Sequence, residues 1–306
     1  MTKVSVVIPA YNCAKYLPTA LESVLAQSYR DFEIVTVDDG STDETESVVR
    51  RYAHSVRYLK TANFGPASAR NRGIRASVGE YVAFLDADDW WEPKKLEAQV
   101  HELEQDADAA LTYSDMCVHC EDGSTNPSFL KSRPFARSGY IFDRLMESQF
   151  IFPSSALIRR RCLESVGLFD ESLHSLEDCD LFLRLCYEWR VVLVYEPLVH
   201  RRQRVGGLTS NQNLSTQYLI KFQEKALTLP HLSASRRRRL RWKLSMAHLS
   251  RARYCREQRL AEECRSNLVA SLKSDWRNSA ALCDWMASFV PPSLITQFKQ
   301  WRQVAE

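Results

Sequence analysis

Three carboxylates crowd into four positions at Asp86-Ala87-Asp88-Asp89, and Trp90-Trp91-Glu92-Pro93 follow at once. Like charges this close repel, so folding alone does not favour the cluster. A hard divalent cation, Mg²⁺ or Mn²⁺, relieves that repulsion and bridges to phosphate oxygens. Asp is also a favoured N-cap, so a polar turn ahead of a helix after Pro93 is the competing reading. A second acidic focus, Asp170, Glu177, Asp178 and Asp180, leads into the apolar stripe Leu181, Phe182, Leu185 and Trp189. Acids there either cap a helix or supply a base that removes a proton from a bound hydroxyl.

The first cluster rides on Tyr81-Val82-Ala83-Phe84-Leu85, an apolar run of strand type. Upstream, strand-type and helix-type segments alternate. Val4–Ile8 is a β-branched strand ended by Pro9, and a helix follows from Leu17 with Pro18 in its first turn. Phe32–Val37 is the second strand; Ser41 and Glu44 have capping-box spacing and predict a helix start there. Val56–Lys60 is a third strand, and Gly65-Pro66 opens a helix carrying Arg70, Asn71 and Arg72. This alternation specifies a parallel sheet with helices on both faces. It sets Ala10–Asn12, Asp38–Ser41 and Asp86–Asp89 along one sheet edge, at strand carboxyl ends, where open α/β sheets bind ligands. None of these loops carries GxGxxG or GxxxxGK[ST], which weakens dinucleotide and P-loop readings.

Further on, the pattern predicts a helix to about Glu104, a strand at Ala109–Ser114 and a polar loop over 115–137. A strand over Phe152–Arg159, a short helix over Cys162–Val166 stopped by Gly167, and a strand over Val191–Tyr195 come next. Pro197 opens a loop that runs through Gly206-Gly207. From about residue 215 only helical spacing remains. The expected division is therefore one domain over 1–214 followed by a helical extension over 215–306.

The chain has 306 residues, 45% hydrophobic and 26% charged, ordinary for a globular protein. No apolar run reaches the roughly 18 residues of a membrane span, and the N-terminus lacks a signal-peptide layout, so a cytoplasmic location is expected. Nine cysteines without regular spacing do not form a disulfide framework. Cys117-x-x-Cys120 has no second Cys or His pair at zinc-finger spacing, so spacing gives no zinc site. Residues 1–210 hold 24 basic and 31 acidic residues; residues 211–306 hold 17 and 7. A basic tail, with Arg236–Arg239 and four of the seven tryptophans, reads either as a peripheral membrane contact through 215–306 or as helices with solvated basic faces. No nucleic-acid partner is expected.

The segments VSVVIPAYN (Val4–Asn12), FEIVTVDDGSTD (Phe32–Asp43), ASARNRG (Ala67–Gly73), GEYVAFLDADDW (Gly79–Trp90) and Glu177-Asp178 together resemble the family 2 glycosyltransferases. The resemblance runs through about residue 210 in the expected order. It implies a GT-A fold, a nucleotide-binding α/β sheet joined to an acceptor-binding half. It also implies inverting, metal-dependent transfer from a nucleotide-sugar, with a UDP-sugar the first expectation. The acceptor would be a hydroxyl of a glycan or lipid-linked molecule in cell-surface polysaccharide synthesis.

Carried over by motif, Pro9, Ala10 and Tyr11 hold the nucleotide base and Asp39 bonds it, with Asp38 alongside. Arg70 lies near the diphosphate or base. Asp86 and Ala87 face the ribose, Asp88 and Asp89 hold the metal, and Asp178 is the base. Relatives carry a Tyr-Arg-x-His-like segment before Gly-Ser-Leu-Ser; here the segment is Arg201-Arg202-Gln203-Arg204 before Gly206-Gly207-Leu208-Thr209. Arg202 keeps the Arg, Arg204 replaces the His, and His200 is displaced and expected to be structural. Glu177, Arg202 and Arg204 are left as acceptor or phosphate contacts. Two other classes are weighed. A non-catalytic binder would be expected to lose Asp86, Asp88 or Asp178; a sugar nucleotidyltransferase would show a Gly-rich basic loop where this chain has Ala10-Tyr11-Asn12-Cys13.

Overall fold

In the computed structural model, which describes residues 2–203 and 212–288, the apolar runs near the N-terminus become adjacent parallel strands. β1 (Val4–Ala10), α1 (Leu17–Leu25), β2 (Phe32–Asp38), α2 (Thr45–Arg50), β3 (Val56–Lys60), α3 (Pro66–Ala76) and β4 (Tyr81–Phe84) follow in order. β3, β2, β1 and β4 lie side by side, all parallel. Side chains alternate across the sheet. Val4, Val6 and Ile8 join Leu17, Leu21 and Val24 of α1 in one core. Val35 and Val37 pack with Ala69 of α3 in another. α3 sits so close to β1 that a Cβ on Gly73 would lie 2.2 Å from Val7 Cγ1. Glycine at that position is what lets the helix approach, and Arg70 lies on the same helix, one turn earlier.

The rest of this unit adds β5 (Trp90–Trp91), α4 (Lys95–Gln105), β6 (Ala109–Cys120), β7 (Thr125–Asn126), α5 (Phe142–Glu147), β8 (Ala156–Arg159), α6 (Arg160–Val166), α7 (Glu177–Glu188) and β9 (Arg190–Gln203). The sheet order is β3-β2-β1-β4-β8-β6-β9-β5, with β7 paired to β6. β8 runs antiparallel to β4 and β6, β9 runs parallel to β6, and β5 runs antiparallel to β9. The sheet is thus parallel in its first half and mixed in its second. It is an α/β sheet flanked by helices.

Four local expectations are corrected. α2 begins at Thr45 rather than at Ser41, because the Ser41 hydroxyl accepts from Asn12 N–H while Asp43 accepts from Thr45 N–H. β6 continues to Cys120 instead of yielding to a loop at 115. Its ladder is irregular at Asp115, whose carboxylate takes up the N–H groups of Met116 and Leu130 and the Ser128 hydroxyl. β9 runs straight through Pro197, which pairs with Asp115 beside that irregularity; a bulge is where a strand tolerates proline. Residues Pro153–Ser155 form a 3₁₀ turn, so β8 starts only at Ala156. Gly167, at φ +82°, does end α6.

The chain divides into two units, residues 1–207 and 208–306. Among the described residues the second unit is helical: α8 (Gln212–Leu227), α9 (Ala234–Glu257), α10 (Ala261–Ser274) and α11 (Ser279–Ala287). Leu249, Ala252, Cys255, Cys264, Leu268 and Ala281 form its core, with Trp285 packed against it. Asn278 donates to the Ser245 and Ser271 hydroxyls within that unit, which pairs these three buried side chains. Trp242 and Trp276 are exposed, and Trp301 lies outside the described residues. No described helix is long and apolar enough to cross a membrane.

Candidate active site

The three loops expected at one sheet edge do meet. Ala10 pairs with Asp38 at the ends of β1 and β2, and Asp39 N–H donates to Ala10 O. Asn12 adopts φ +47°, a left-handed turn that Asn tolerates, and its side chain accepts from Thr42 N–H. Pro9 and Ala10 therefore form a fixed floor, while Tyr11 stands half exposed above it. Asp38 is fully buried; it accepts from Ser41 N–H and from the Tyr58 hydroxyl at 2.6 Å. Asp39 accepts from Thr61 Oγ1, Phe64 N–H and Gly65 N–H, tying β2 to the start of α3. A carboxylate offers about four lone-pair directions, so Asp39 keeps room for one more donor.

The acidic loop divides its three carboxylates by burial. Asp86 is partly exposed and bonded at 2.7 Å by Arg70 Nη2. Ala87 is buried and Asp88 half-buried. Asp89 is placed unlike a ligand: it is buried, Oδ2 accepts from the Ser154 hydroxyl and Oδ1 from Arg202 N–H. Burial, with Asp86 and Asp88 adjacent, pushes its pKa well above the usual carboxylate range. Both of its oxygens therefore serve to fasten the loop to β9 and to the 3₁₀ turn.

Arg70 joins the two acidic foci. It is 5% exposed, and its other arm, Nη1, donates to Glu177 Oε1 at 2.7 Å. Phe169 lies under the guanidinium, 5.4 Å away, and is itself pinned to α3 by Asn71. Burial works against the guanidinium charge, but Asp86 and Glu177, with Asp178 beyond, hold its pKa above the ordinary arginine value. Glu177 is buried and engaged with Arg70, which fits positioning rather than contact with an acceptor. Asp178 is half-buried and accepts from Cys179 N–H. Burial and the Glu177 charge outweigh the pull of Arg70 and push its pKa up to about 6. Leu176, just before this pair, holds φ +64°, a strained value for a non-glycine residue and one that persists where the surroundings impose it.

Arg202 donates from Nε to Asp88 O and lies 4.5 Å above the Trp90 ring. His200 is another neighbour of that ring, stacked 4.8 Å away and inclined by only 2°, so it belongs to this packing and not to the acidic loop. Arg204 lies outside the described residues. Sequence reasoning missed Ser154, whose hydroxyl accepts from Asp86 N–H and donates to Asp89. It also missed that Trp90 is a strand residue. Neither carries a local signal, because both depend on pairing across the sheet.

Against the model of glycosyl transferase family 2, residues 5–167 match. The chain belongs to that family. Among relatives, an uncharacterized glycosyltransferase of Rickettsia typhi is 35% identical over 210 residues, covering 65% of this chain and 63% of that protein. The chain thus spans less than two thirds of that relative. Among solved structures, residues 1–349 of S. aureus TarS, crystallised with UDP-GlcNAc, superpose with a TM-score of 0.72 at 20% identity, covering 94% of this chain and 89% of that one. The mannosyltransferase PcManGT of Pyrobaculum calidifontis, in complex with GDP-Man and Mn²⁺, gives 0.62 at 19% identity, covering 99% and 81%. The fold of this family 2 chain is the GT-A type, with a helical C-terminal region.

If Arg70 is the joint between the two acidic segments, removing its charge strands two carboxylates. Arg70→Met is expected to destabilise the protein by about 3–5 kcal/mol, the usual cost of breaking a buried ion pair from one side. Arg70→Lys, with the charge but not the fork, should fall between. Urea midpoints of the three proteins check this; equal midpoints would contradict it.

Proposed function

We propose that this chain is an inverting glycosyltransferase that moves a sugar from a nucleotide-sugar, most simply a UDP-sugar, to a hydroxyl of a glycan or lipid-linked acceptor. Cell-surface polysaccharide synthesis is the setting proposed. The observation that carries the reading is the Arg70 bridge. It ties the acidic loop at Asp86 to the head of α7, where Asp178 holds a pKa near 6 and is not itself bonded by Arg70 in the pairs described. Membership of the family and the UDP-GlcNAc and GDP-Man complexes of the two structural neighbours support a nucleotide-sugar donor.

Residues 1–115 form the donor half and 116–214 the acceptor half. Pro9, Ala10 and Tyr11 take the base, and the spare lone pair of Asp39 accepts from it, with Asp38 bracing the turn. Asp86 and Ala87 meet the ribose. Asp88 would hold a divalent cation, Mn²⁺ or Mg²⁺, the hard ions that carboxylate oxygen favours. Bound there, the cation would neutralise charge growing on the leaving nucleoside diphosphate. Asp89 acts as the anchor of that loop and Glu177 as the anchor of Arg70. Arg202, and by its motif position Arg204, serve the phosphates.

Inversion in one displacement needs a single base on the side opposite the leaving group. Asp178 takes the proton of the acceptor hydroxyl. The hydroxyl oxygen then bonds to the anomeric carbon as the bond to the diphosphate oxygen breaks. Two flanking carboxylates, as in a hydrolase, are not required.

The second unit supports a peripheral contact with the inner face of a membrane. Arg237, Arg238, Arg241, Lys273 and Arg277 lie with the exposed Trp276 around one groove, and Trp242 borders its neighbour. Basic side chains with aromatic rings are the chemistry of an anionic lipid surface.

Asp178 must be ionised to accept a proton, so kcat/KM should fall as pH drops through about 6. Asp178→Asn should lower turnover by about 10²–10⁴-fold while nucleotide binding is kept. Normal turnover in that variant would remove the base assignment. For the membrane contact, the purified chain should co-sediment with vesicles containing phosphatidylglycerol but not with pure phosphatidylcholine. Arg237→Glu with Arg238→Glu should reduce the bound fraction, and unchanged partitioning would overturn the contact.

A further inference from the structure

The pairing of β6 with β9 assembles a group of side chains that no spacing in the sequence announces. Cys117 and His119 sit two residues apart on β6, so they share a face, and Cys117 is the ladder partner of His200 on β9. Their ligating atoms, Cys117 Sγ and one ring nitrogen from each histidine, all lie within 4.8 Å of one another. Neither imidazole is used by the donor site described above.

The details of the group match a metal centre. His119 Nε2 and His200 Nδ1 are 3.0 Å apart. Two imidazole nitrogens on one tetrahedral Zn²⁺ stand about 3.3 Å apart, given metal–nitrogen distances near 2.0–2.1 Å. His200 Nε2 lies 2.6 Å from Glu92 Oε1. That carboxylate fixes the Nε2–H tautomer and leaves the Nδ1 lone pair aimed at His119. This is the carboxylate–histidine arrangement that orients metal-bound imidazoles. The Trp90 ring stacks on His200 and packs against His119 at 4.9 Å, so the rings are held in place. The group is reachable: both histidines are partly exposed, while Cys117 is buried behind them. Among the described residues, Arg202 is the cation that faces the group. Its Nε donates to Asp88 O and its guanidinium lies over the Trp90 ring.

We propose that Cys117, His119 and His200 bind a divalent transition cation of the Zn²⁺ class, at a site distinct from the oxygen-liganded cation at Asp88. On binding, the proton on His119 Nε2 moves to Nδ1 of the same ring, so both imidazoles ligate as neutral groups. Cys117 ligates as the thiolate, so its thiol proton is released on binding. Closing the set needs a side-chain shift of about 1 Å to reach a sulfur–nitrogen separation near 3.6 Å. The fourth position is open to water. Bound, the cation cross-links β6 and β9 next to Trp90, and so braces the strand whose Arg202 N–H holds Asp89.

The test is a Co²⁺ titration of the metal-free full chain, followed by absorbance, with Zn²⁺ competition against a chromogenic chelator. Expected are visible d–d bands and a near-ultraviolet thiolate-to-cobalt band that saturate at one equivalent and are displaced by Zn²⁺. Cys117→Ser should lose the thiolate band, and Glu92→Gln should weaken Zn²⁺ binding about 10–100-fold. Asp88→Ala, read by the same bands, should leave the site intact. No thiolate band in the wild-type chain would overturn the proposal, and needs no variant to fold. So would a band that survives in Cys117→Ser with wild-type circular dichroism, or one that disappears in Asp88→Ala.

Discussion

One buried guanidinium holds together parts of the chain that are far apart in sequence. Arg70 comes from α3, Asp86 from the loop after β4, and Glu177 from the head of α7. Burying a charge costs several kcal/mol unless it is paired, and here both arms of the fork are paired. The pairing in turn requires α3 to lie tight on β1, which the bare face of Gly73 against Val7 allows. The ring of Phe169 below and the Asn71 side chain that fixes it complete the socket. The acidic loop and the head of α7 are therefore joined through one residue.

That bridge also separates two adjacent acids into two chemical roles. Glu177 is the partner of Arg70 and is buried with it. Asp178 receives the field of Glu177 without a bond to the guanidinium, and burial adds to the effect. A carboxylate with a pKa near 6 is a better proton acceptor than a free one and is still ionised at neutral pH. The same logic runs through Asp86–Asp89. Asp86 is paired with Arg70, Asp89 is buried as an anchor, and Asp88 is half-buried with its carbonyl accepting from Arg202 Nε. The cluster that looks redundant in sequence is three residues with three surroundings.

Much of this architecture is legible in the order of residues alone. Strand–turn–helix alternation through Tyr81 specifies the parallel half of the sheet, because hydrophobic period and turn chemistry are local signals. The convergence of Ala10–Asn12, Asp38–Ser41 and the acidic loop follows from parallel connectivity. The features that escape such a reading are set by partners distant in sequence. The Ser41–Glu44 capping box loses to Asn12, whose N–H claims the Ser41 hydroxyl. The polar stretch after Ser114 becomes strand because β9 pairs with it, and Pro197 survives inside β9 because the ladder is irregular there. Asp89 cannot be told from Asp88 without Ser154, and His200 cannot be joined to Cys117 and His119 without the β6–β9 register.

The most direct measurement is calorimetric titration of the purified chain with UDP, GDP and dTDP, each with Mn²⁺ and again with chelator. The expected result is binding of one nucleotide, UDP first, that disappears with chelator and in Asp88→Ala. Absence of binding to all three by a protein shown to be folded would contradict a donor site built from β1, β2 and the Asp86–Asp89 loop.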